Sequence, residues 1–366
     1  MIKNIEAHAT EPPPTLQTEI PSQPPAARPQ RAADGAVDQS FSDAFVPPSS
    51  TFSSELLGRN VLRALLIWLS ENRRLRSFAE NSSLAQPMAR RFVAGTTVEE
   101  AIAAVHEVNS RGMTVSIDNL GENVTNAEEA RASARLYDQI LDQIHARRLQ
   151  ANVSLKLTHM GLDVDENLAR ELACGLIDHA RLSGNFVRVD MEGSPYTQRT
   201  LDFVREMHRP PGNAGHVGAV IQSYLYRSEK DVEELLAEGI RIRLCKGAYK
   251  EAPAIAFQKK SDVDANYIKL MMVLLKSGVY HGIATHDERI IEATRRFARQ
   301  EKIPAEAFEF QMLHGIRRDL QERLVREGWR MRVYIPFGTE WYPYFMRRLA
   351  ERPANAFFIA RNLFRR

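Results

Sequence analysis

The sequence predicts an α/β fold: a (β/α)8 barrel of the TIM type, with extra helices before it and a disordered N-terminal tail. Three observations carry that prediction. Eight short β-branched runs alternate with longer amphipathic runs, the pattern of parallel strands joined by crossover helices. The eight units together occupy roughly 250 residues, which suits a closed barrel better than an open doubly wound sheet. No GxGxxG or GxxxxGKS/T string follows any of the runs, so the open sheet lacks its usual support.

The elements follow in order along the 366 residues. Residues 1–50 are rich in Pro, Ala, Ser and Gln, with PPP at 12–14, PSQPP at 21–25 and VPPSS at 46–50. Such a segment buries too little apolar surface to offset its ordering entropy, so it reads as a disordered tail. Residues 51–110 read as helices packed on the barrel, because Leu56, Leu57, Val61, Leu65, Trp68 and Leu69 recur at helical spacing. The barrel itself is assigned to residues 111–366. Its strands are predicted at 113–118, 152–157, 186–190, 217–222, 240–245, 282–285, 308–313 and 332–337. Helices are predicted between them, for example over 127–144 and 231–239, and a last one over 341–352.

Composition bounds the function class. The net charge is only +3, which gives no signal for nucleic acid. The excess is local: residues 317–366 hold twelve Arg, no Lys and five acids. An anionic ligand, a membrane surface or a solvated Arg face would each account for it. Two cysteines, Cys174 and Cys245, form no metal-ligand spacing and fit a reducing compartment. The apolar run at 61–69 is interrupted by Arg63 and falls short of the about 20 residues a bilayer span needs. The N-terminus lacks a secretory pattern and carries Glu6, Glu11 and Glu19. The chain is expected in the cytoplasm, with peripheral contact at the inner membrane left open.

In a barrel of this kind the site lies at the C-terminal ends of the strands. Each predicted strand supplies a polar group there. The first ends in Asp118, the second carries Lys156, the third ends in Asp190 with Glu192, and the fourth ends in Gln222 with Tyr224. The fifth ends in RLCKGAY at 243–249, the sixth in Thr285, His286 and Asp287, and the seventh in QMLHG at 311–315. The eighth carries Tyr334 and opens the helix at 341–352.

Arg243, Lys246 and Gly247 suit a phosphate or an electron-rich ring, though an ordinary turn after a strand would look the same. Tyr344, Arg347, Arg348 and Glu351 can share one helix face. That face is either a solvent-facing salt-bridge ladder or a guanidinium pair that forks one carboxylate. The aromatic residues Trp341, Tyr342, Tyr344 and Phe345 favour the second. Lys156, inside an apolar strand, is expected to point inward toward a carboxylate such as Asp190 or toward a ligand anion. His286 reads as a base, a phosphate donor or a helix N-terminal residue, with Thr285 as a cap.

Seven strings together resemble the flavin-dependent proline dehydrogenase family in its monofunctional bacterial form. They are SLKLTHMGLD at 154–163, RVDME at 188–192, IQSYLYR at 221–227, RLCKGAYKE at 243–251, ATHDERI at 284–290, FQMLHGI at 310–316 and RVYIPFGTEWYPYFMRRLAERPAN at 332–355. The resemblance covers roughly residues 54–360, and the last string is the most specific.

It implies a distorted barrel that holds FAD without a Rossmann fingerprint. L-proline would become Δ1-pyrroline-5-carboxylate, with electrons passing to a membrane quinone and a pyrroline-5-carboxylate dehydrogenase as a candidate companion. The implied catalytic set is Lys156, Asp190, Tyr334, Arg347, Arg348 and Glu351. Arg347 and Arg348, helped by Lys156, would grip the substrate carboxylate, and Glu351 would orient the arginines. Tyr334, Leu313, Tyr249 and Tyr344 would surround the ring, and Asp190 would order the Lys and Tyr side of the pocket. Asp190, Val220, Gln222, Arg243, Lys246, Gly247, Ala248, Thr285 and His286 would serve the FAD. Cys245 departs from the family's usual Val, a conservative size change, and the Pro-rich head is unusual. Two other readings stand beside this one: a 4-hydroxyproline dehydrogenase, which the bulk of Tyr334 opposes, and a barrel that binds a ligand without catalysis.

Overall fold

The computed structural model describes residues 90–121 and 124–351, with the side chains of residues 347 and 349–351 left out. The chain divides into two units at Ser50 and Thr51, and the described residues belong to the second. The tail expected over 1–50 and the helices expected before residue 90 lie outside the described residues.

Eight strands form a closed barrel in sequence order. They are β1 (Thr114–Asn119), β2 (Ala151–Leu155), β3 (Val187–Val189), β4 (Val217–Gln222), β5 (Arg241–Cys245), β6 (His281–Ala284), β7 (Phe308–Leu313) and β8 (Met331–Phe337). Every neighbouring pair is parallel, and β8 closes onto β1 with Tyr334 beside Ser116 and Pro336 beside Asp118. A helix follows each strand. These are α2 (Ala127–Ala146), α3 (Glu166–Leu182), α4 (Ser194–His208), α5 (Ser228–Ala237), α6 (Lys260–Lys276), α7 (Glu288–Gln300), α8 (Arg318–Arg326) and α9 (Trp341–Glu351), while α1 (Val98–Ser110) precedes β1. The predicted (β/α)8 architecture is the one observed.

Local chemistry explains the elements. On α2, Ala130, Ala134, Tyr137, Ile140, Leu141 and Ile144 recur every three or four residues and are all buried. Each fully buried Ile or Leu of that stripe contributes about 1.5–3 kcal/mol. Thr97, Asn126, Asp165 and Asp287 cap their helices by accepting a backbone N–H two or three residues on. The strands are buried on both faces, as parallel strands under helices must be, and read as near-continuous apolar runs such as VGAVIQ.

The barrel interior departs from the usual branched apolar filling. Ser116, Asn152, Ser154, Arg188, Arg243, Glu309 and Gln311 are buried polar residues on its strands. Arg243 on β5 reaches Ser116 on β1 and Ser154 on β2, strands that are not its neighbours, so these side chains meet across the interior. Below them Glu309 accepts from Arg332, Gln311 and Tyr280, which pairs the lower cation and completes the amide. Every buried polar atom so satisfied avoids the cost of an orphaned group.

Candidate active site

The mouth of the barrel is built from strand ends. β2 stops at Leu155, so Lys156 stands just past the strand rather than within it. Its ammonium turns inward as expected, but the carboxylate it meets is Asp118 of β1, with both oxygens at 3.1 Å. The pairing suggested for Asp190 is therefore corrected. Asp118 and Ser154 are register neighbours on β1 and β2, which brings Asp118 within reach of the residue two beyond Ser154. Burial raises the Asp118 carboxyl above the ordinary range, and the Lys156 charge opposes that rise. Tyr137 of α2 closes the pair from behind: its hydroxyl lies 2.8 Å from the Ser154 carbonyl and 3.4 Å from Asp118 Oδ1.

Asp190 organises the next layer. Its Oδ1 accepts from Arg243 Nη1 at 2.5 Å and from the Ser154 hydroxyl at 2.9 Å. Its Oδ2 accepts from the Tyr334 hydroxyl at 2.8 Å. Arg243 also donates to Gln311 Oε1 at 2.6 Å, Ser154 Oγ at 3.1 Å and Ser116 Oγ at 3.2 Å. The guanidinium lies 5.2 Å from the centre of the Tyr334 ring. Arg243, Asp190 and Tyr334 thus form one rigid unit from three strands. Burial, then the carboxylates of Asp118 and Asp190, hold the Tyr334 phenol well above its ordinary pKa, so it stays a donor.

The other predicted residues lie on or just after the strands that follow. Gln222 ends β4 and donates to the Glu192 carbonyl at 3.0 Å; Val220 is buried two residues earlier. Lys246 pairs with Asp264 at 2.5 Å and Asp287 at 2.9 Å. Two carboxylates therefore offset the cation expected to serve a phosphate. Burial raises the Asp287 carboxyl, but hydrogen bonds from Lys246 and Lys260 outweigh it and hold the group at about 2. Gly247 has φ +111, and a Cβ there would stand 2.2 Å from Tyr224 Cδ1, so only glycine fits. Ala248 is exposed and Tyr249 half-buried beside it.

Thr285 Oγ1 accepts from the Asp287 N–H at 3.1 Å, and His286 Nε2 accepts from the Leu313 N–H at 3.0 Å. Nε2 of His286 is thus engaged as an acceptor and tied to the end of β7. Arg348 lies 5.2 Å from the centre of the Tyr344 ring on α9, which opens directly after β8 at the mouth. The side chains of Arg347 and Glu351 lie outside the described residues.

Sequence reasoning left Asp118, Ser116, Ser154 and Gln311 without roles. A signal for them exists: polar residues two apart in otherwise apolar strands, Ser116 with Asp118, Ser154 with Lys156 and Glu309 with Gln311, mark one face of each strand. Cys245 is a half-buried thiol, pushed up to about 12 by burial. Among the described residues no cluster of His, Cys, Asp or Glu could hold a metal, and no helix is long and apolar enough to cross a membrane.

Comparison with known proteins places this geometry. A family model described as proline dehydrogenase matches residues 101–361. Proline dehydrogenase 1 of Bacillus subtilis subsp. natto is 40% identical over 306 residues, covering 84% of this chain and 100% of that protein. Proline dehydrogenase of Deinococcus radiodurans is 43% identical over 279 residues, covering 75% and 90% respectively. Among solved structures, proline utilization A from Bdellovibrio bacteriovorus, inactivated by N-propargylglycine, superposes with a TM-score of 0.71 at 25% identity. The match covers 82% of this chain and 37% of that larger one.

Proposed function

This chain belongs to the proline dehydrogenase family, and from that premise we propose that it oxidises L-proline to Δ1-pyrroline-5-carboxylate with FAD as cofactor and a quinone as electron acceptor. The observation that carries the reading is the convergence of Lys156–Asp118 and Arg243–Asp190–Tyr334 on one barrel mouth. Paired charges of both signs beside a fixed aromatic ring suit a small cyclic amino acid, itself a zwitterion.

The donor set fits a flavin. Gln222 ends β4, Arg243 lies within β5, Thr285 and His286 follow β6, and Gly247 allows close backbone approach. With Val220, Lys246, Ala248 and Asp190 they are the residues that would hold FAD. When bound, the cofactor supplies a two-electron acceptor for hydride.

The chain's own residues supply orientation. Arg347 and Arg348, with Lys156, would take the substrate carboxylate through charge-assisted hydrogen bonds, and Glu351 would orient the arginines. Tyr334, Leu313, Tyr249 and Tyr344 would enclose the ring. Tyr334 cannot swing aside without breaking its bond to Asp190, which keeps the pocket narrow on that side. The ring carbon beside nitrogen loses a hydride and the nitrogen loses a proton, giving the cyclic imine. The amine must be neutral for its lone pair to stabilise the developing iminium, so no nucleophile is required of the protein. Fixing substrate and acceptor in one geometry is the main contribution to rate.

The reading puts the protein in the cytoplasm, in peripheral contact with the membrane that dissolves the quinone, and hands the product to a pyrroline-5-carboxylate dehydrogenase. A narrow wall at Tyr334 disfavours a ring hydroxyl. Purified protein should show a flavin spectrum and reduce a short-chain quinone with L-proline, and turn over 4-hydroxyproline far more slowly. A colourless protein with no proline-dependent quinone reduction would contradict the assignment, and equal turnover of the two substrates would shift it to the hydroxylated one.

A further inference from the structure

The segment between β5 and α6, residues 246–259, carries Lys246, Gly247, Ala248 and Tyr249, and it is fixed at several points. At its start Lys246 is held by Asp264 and Asp287, and Gly247 packs on the Tyr224 ring. At its far end the Tyr226 N–H donates to the Ile255 carbonyl and the Phe257 N–H to the Tyr224 carbonyl, at 3.0 and 2.8 Å. Between these anchors stands Glu251. Its Oε1 accepts from the Ser194 backbone N–H at 2.8 Å, and its Oε2 accepts from the Ser194 hydroxyl at 2.7 Å.

Ser194 is the first residue of α4, and the preceding N-cap, Gly193, has no side chain to satisfy the helix's orphan donors. Glu251 therefore does, from 57 residues away, what a capping side chain does locally, and its charge suits the helix N-terminus. The same turn lies near Tyr249. The position a Cβ would take on Gly193 is 3.8 Å from Glu251 Oε1 and 4.0 Å from Tyr249 Cδ1. Tyr249 and the Glu251 carboxylate thus share one contact surface.

We propose that Glu251 is a positioning residue: by latching the β5–α6 segment onto the N-terminus of α4, it sets where Tyr249 stands in the substrate pocket. The inference rests on the reading that this mouth binds L-proline, but the latch itself has a readout that does not.

The test uses full-length, FAD-loaded protein and the variants Glu251→Ala, Glu251→Gln and Ser194→Ala. Amide hydrogen exchange over residues 247–252 should speed about tenfold in Glu251→Ala, the loss of roughly one to two net hydrogen bonds. Unchanged exchange overturns the latch, whatever the substrate proves to be. KM for L-proline should rise about tenfold while kcat and flavin content stay within about twofold, since an interaction that only places a wall of the pocket acts on binding. The Kd of cyclopentanecarboxylate, an unreactive ring acid read by its perturbation of flavin absorbance, should rise in parallel.

Glu251→Gln keeps an oxygen for the Ser194 N–H and an amide that can donate to the hydroxyl, so it should stay within about threefold of the parent. Ser194→Ala should raise KM by a smaller factor, about threefold, and add nothing in the Glu251→Ala background. Should Glu251→Ala fail to fold, Ser194→Ala carries the test alone. Unchanged KM and Kd, or a Ser194→Ala effect that persists fully without Glu251, overturns the proposal. Variants that exchange as predicted, in a protein whose parent neither binds the ring acid nor oxidises proline, would count against the pocket assignment and leave the latch supported.

Discussion

Lys156 holds both carboxylate oxygens of Asp118 at 3.1 Å, and the two side chains are 11% and 2% exposed. At that burial removing either charge is costly to the other. Asp118→Asn should lower unfolding free energy by about 3–5 kcal/mol, because it removes the carboxylate that holds the Lys156 ammonium through both oxygens. Adding Lys156→Met to that variant should restore most of the loss while abolishing proline binding. Urea unfolding of the parent, both single variants and the double variant checks this; a double variant as unstable as the sum of the singles would show that the pair is not the source.

Arg348 is half-buried against Tyr344. Each charge-assisted hydrogen bond is worth about 1.5–3 kcal/mol. Arg348→Met should raise KM for L-proline by about two to three orders of magnitude with flavin content intact. Steady-state kinetics decide it, and an unchanged KM would remove Arg348 from the carboxylate site.

Gly247 lies at φ +111 with the Tyr224 ring where a side chain would begin. Gly247→Ala must strain the backbone by about 1–3 kcal/mol and also displace that ring. The expected result is weakened flavin retention with the barrel still folded, read as cofactor content after gel filtration beside the far-ultraviolet circular dichroism.

Three buried histidines give the acid side of the stability profile. Burial, the largest cause in each, pushes His159 and His314 down to about 4 and His281 to about 3. An unfolded histidine titrates near about 6.5. Between those values the unfolded chain binds protons that the folded chain does not. Stability from these groups is therefore complete above about pH 6.5 and declines as pH falls toward about 4. His159 feels the Lys156 charge as well. His159→Gln should flatten the slope of urea midpoint against pH across that window, and an unaltered slope would contradict the assignment.

Much of this architecture is written in hydrophobic period. All eight strands are legible as short β-branched runs, because a parallel strand covered on both faces stays largely apolar even where a buried polar residue such as Ser116 or Arg243 interrupts it. Boundaries were less legible. The helix expected from residue 231 begins at Ser228, and Lys156 falls outside its strand, because helix and strand ends are set by caps and register rather than by period. Lys156 meets a carboxylate as its inward face predicts, but that of Asp118 rather than the Asp190 given as an example. Sequence shows that a lysine faces inward, but only strand register and tilt decide whether Asp118 or Asp190 meets it. The Asp190–Arg243–Gln311 network was invisible beforehand, since it joins β3, β5 and β7 across the interior. Of the residues named by family resemblance, Lys156, Asp190, Arg243 and Tyr334 are joined or neighboured by the hydrogen bonds at the strand ends, while the side chains of Arg347 and Glu351 lie outside the described residues.

The most direct measurement is anaerobic addition of L-proline to the purified protein while the visible flavin absorbance is followed. The account predicts bleaching of the oxidised flavin band at a rate that saturates with proline, and loss of that bleaching at the same proline concentrations in Arg348→Met. A flavin that stays oxidised under excess proline would contradict it.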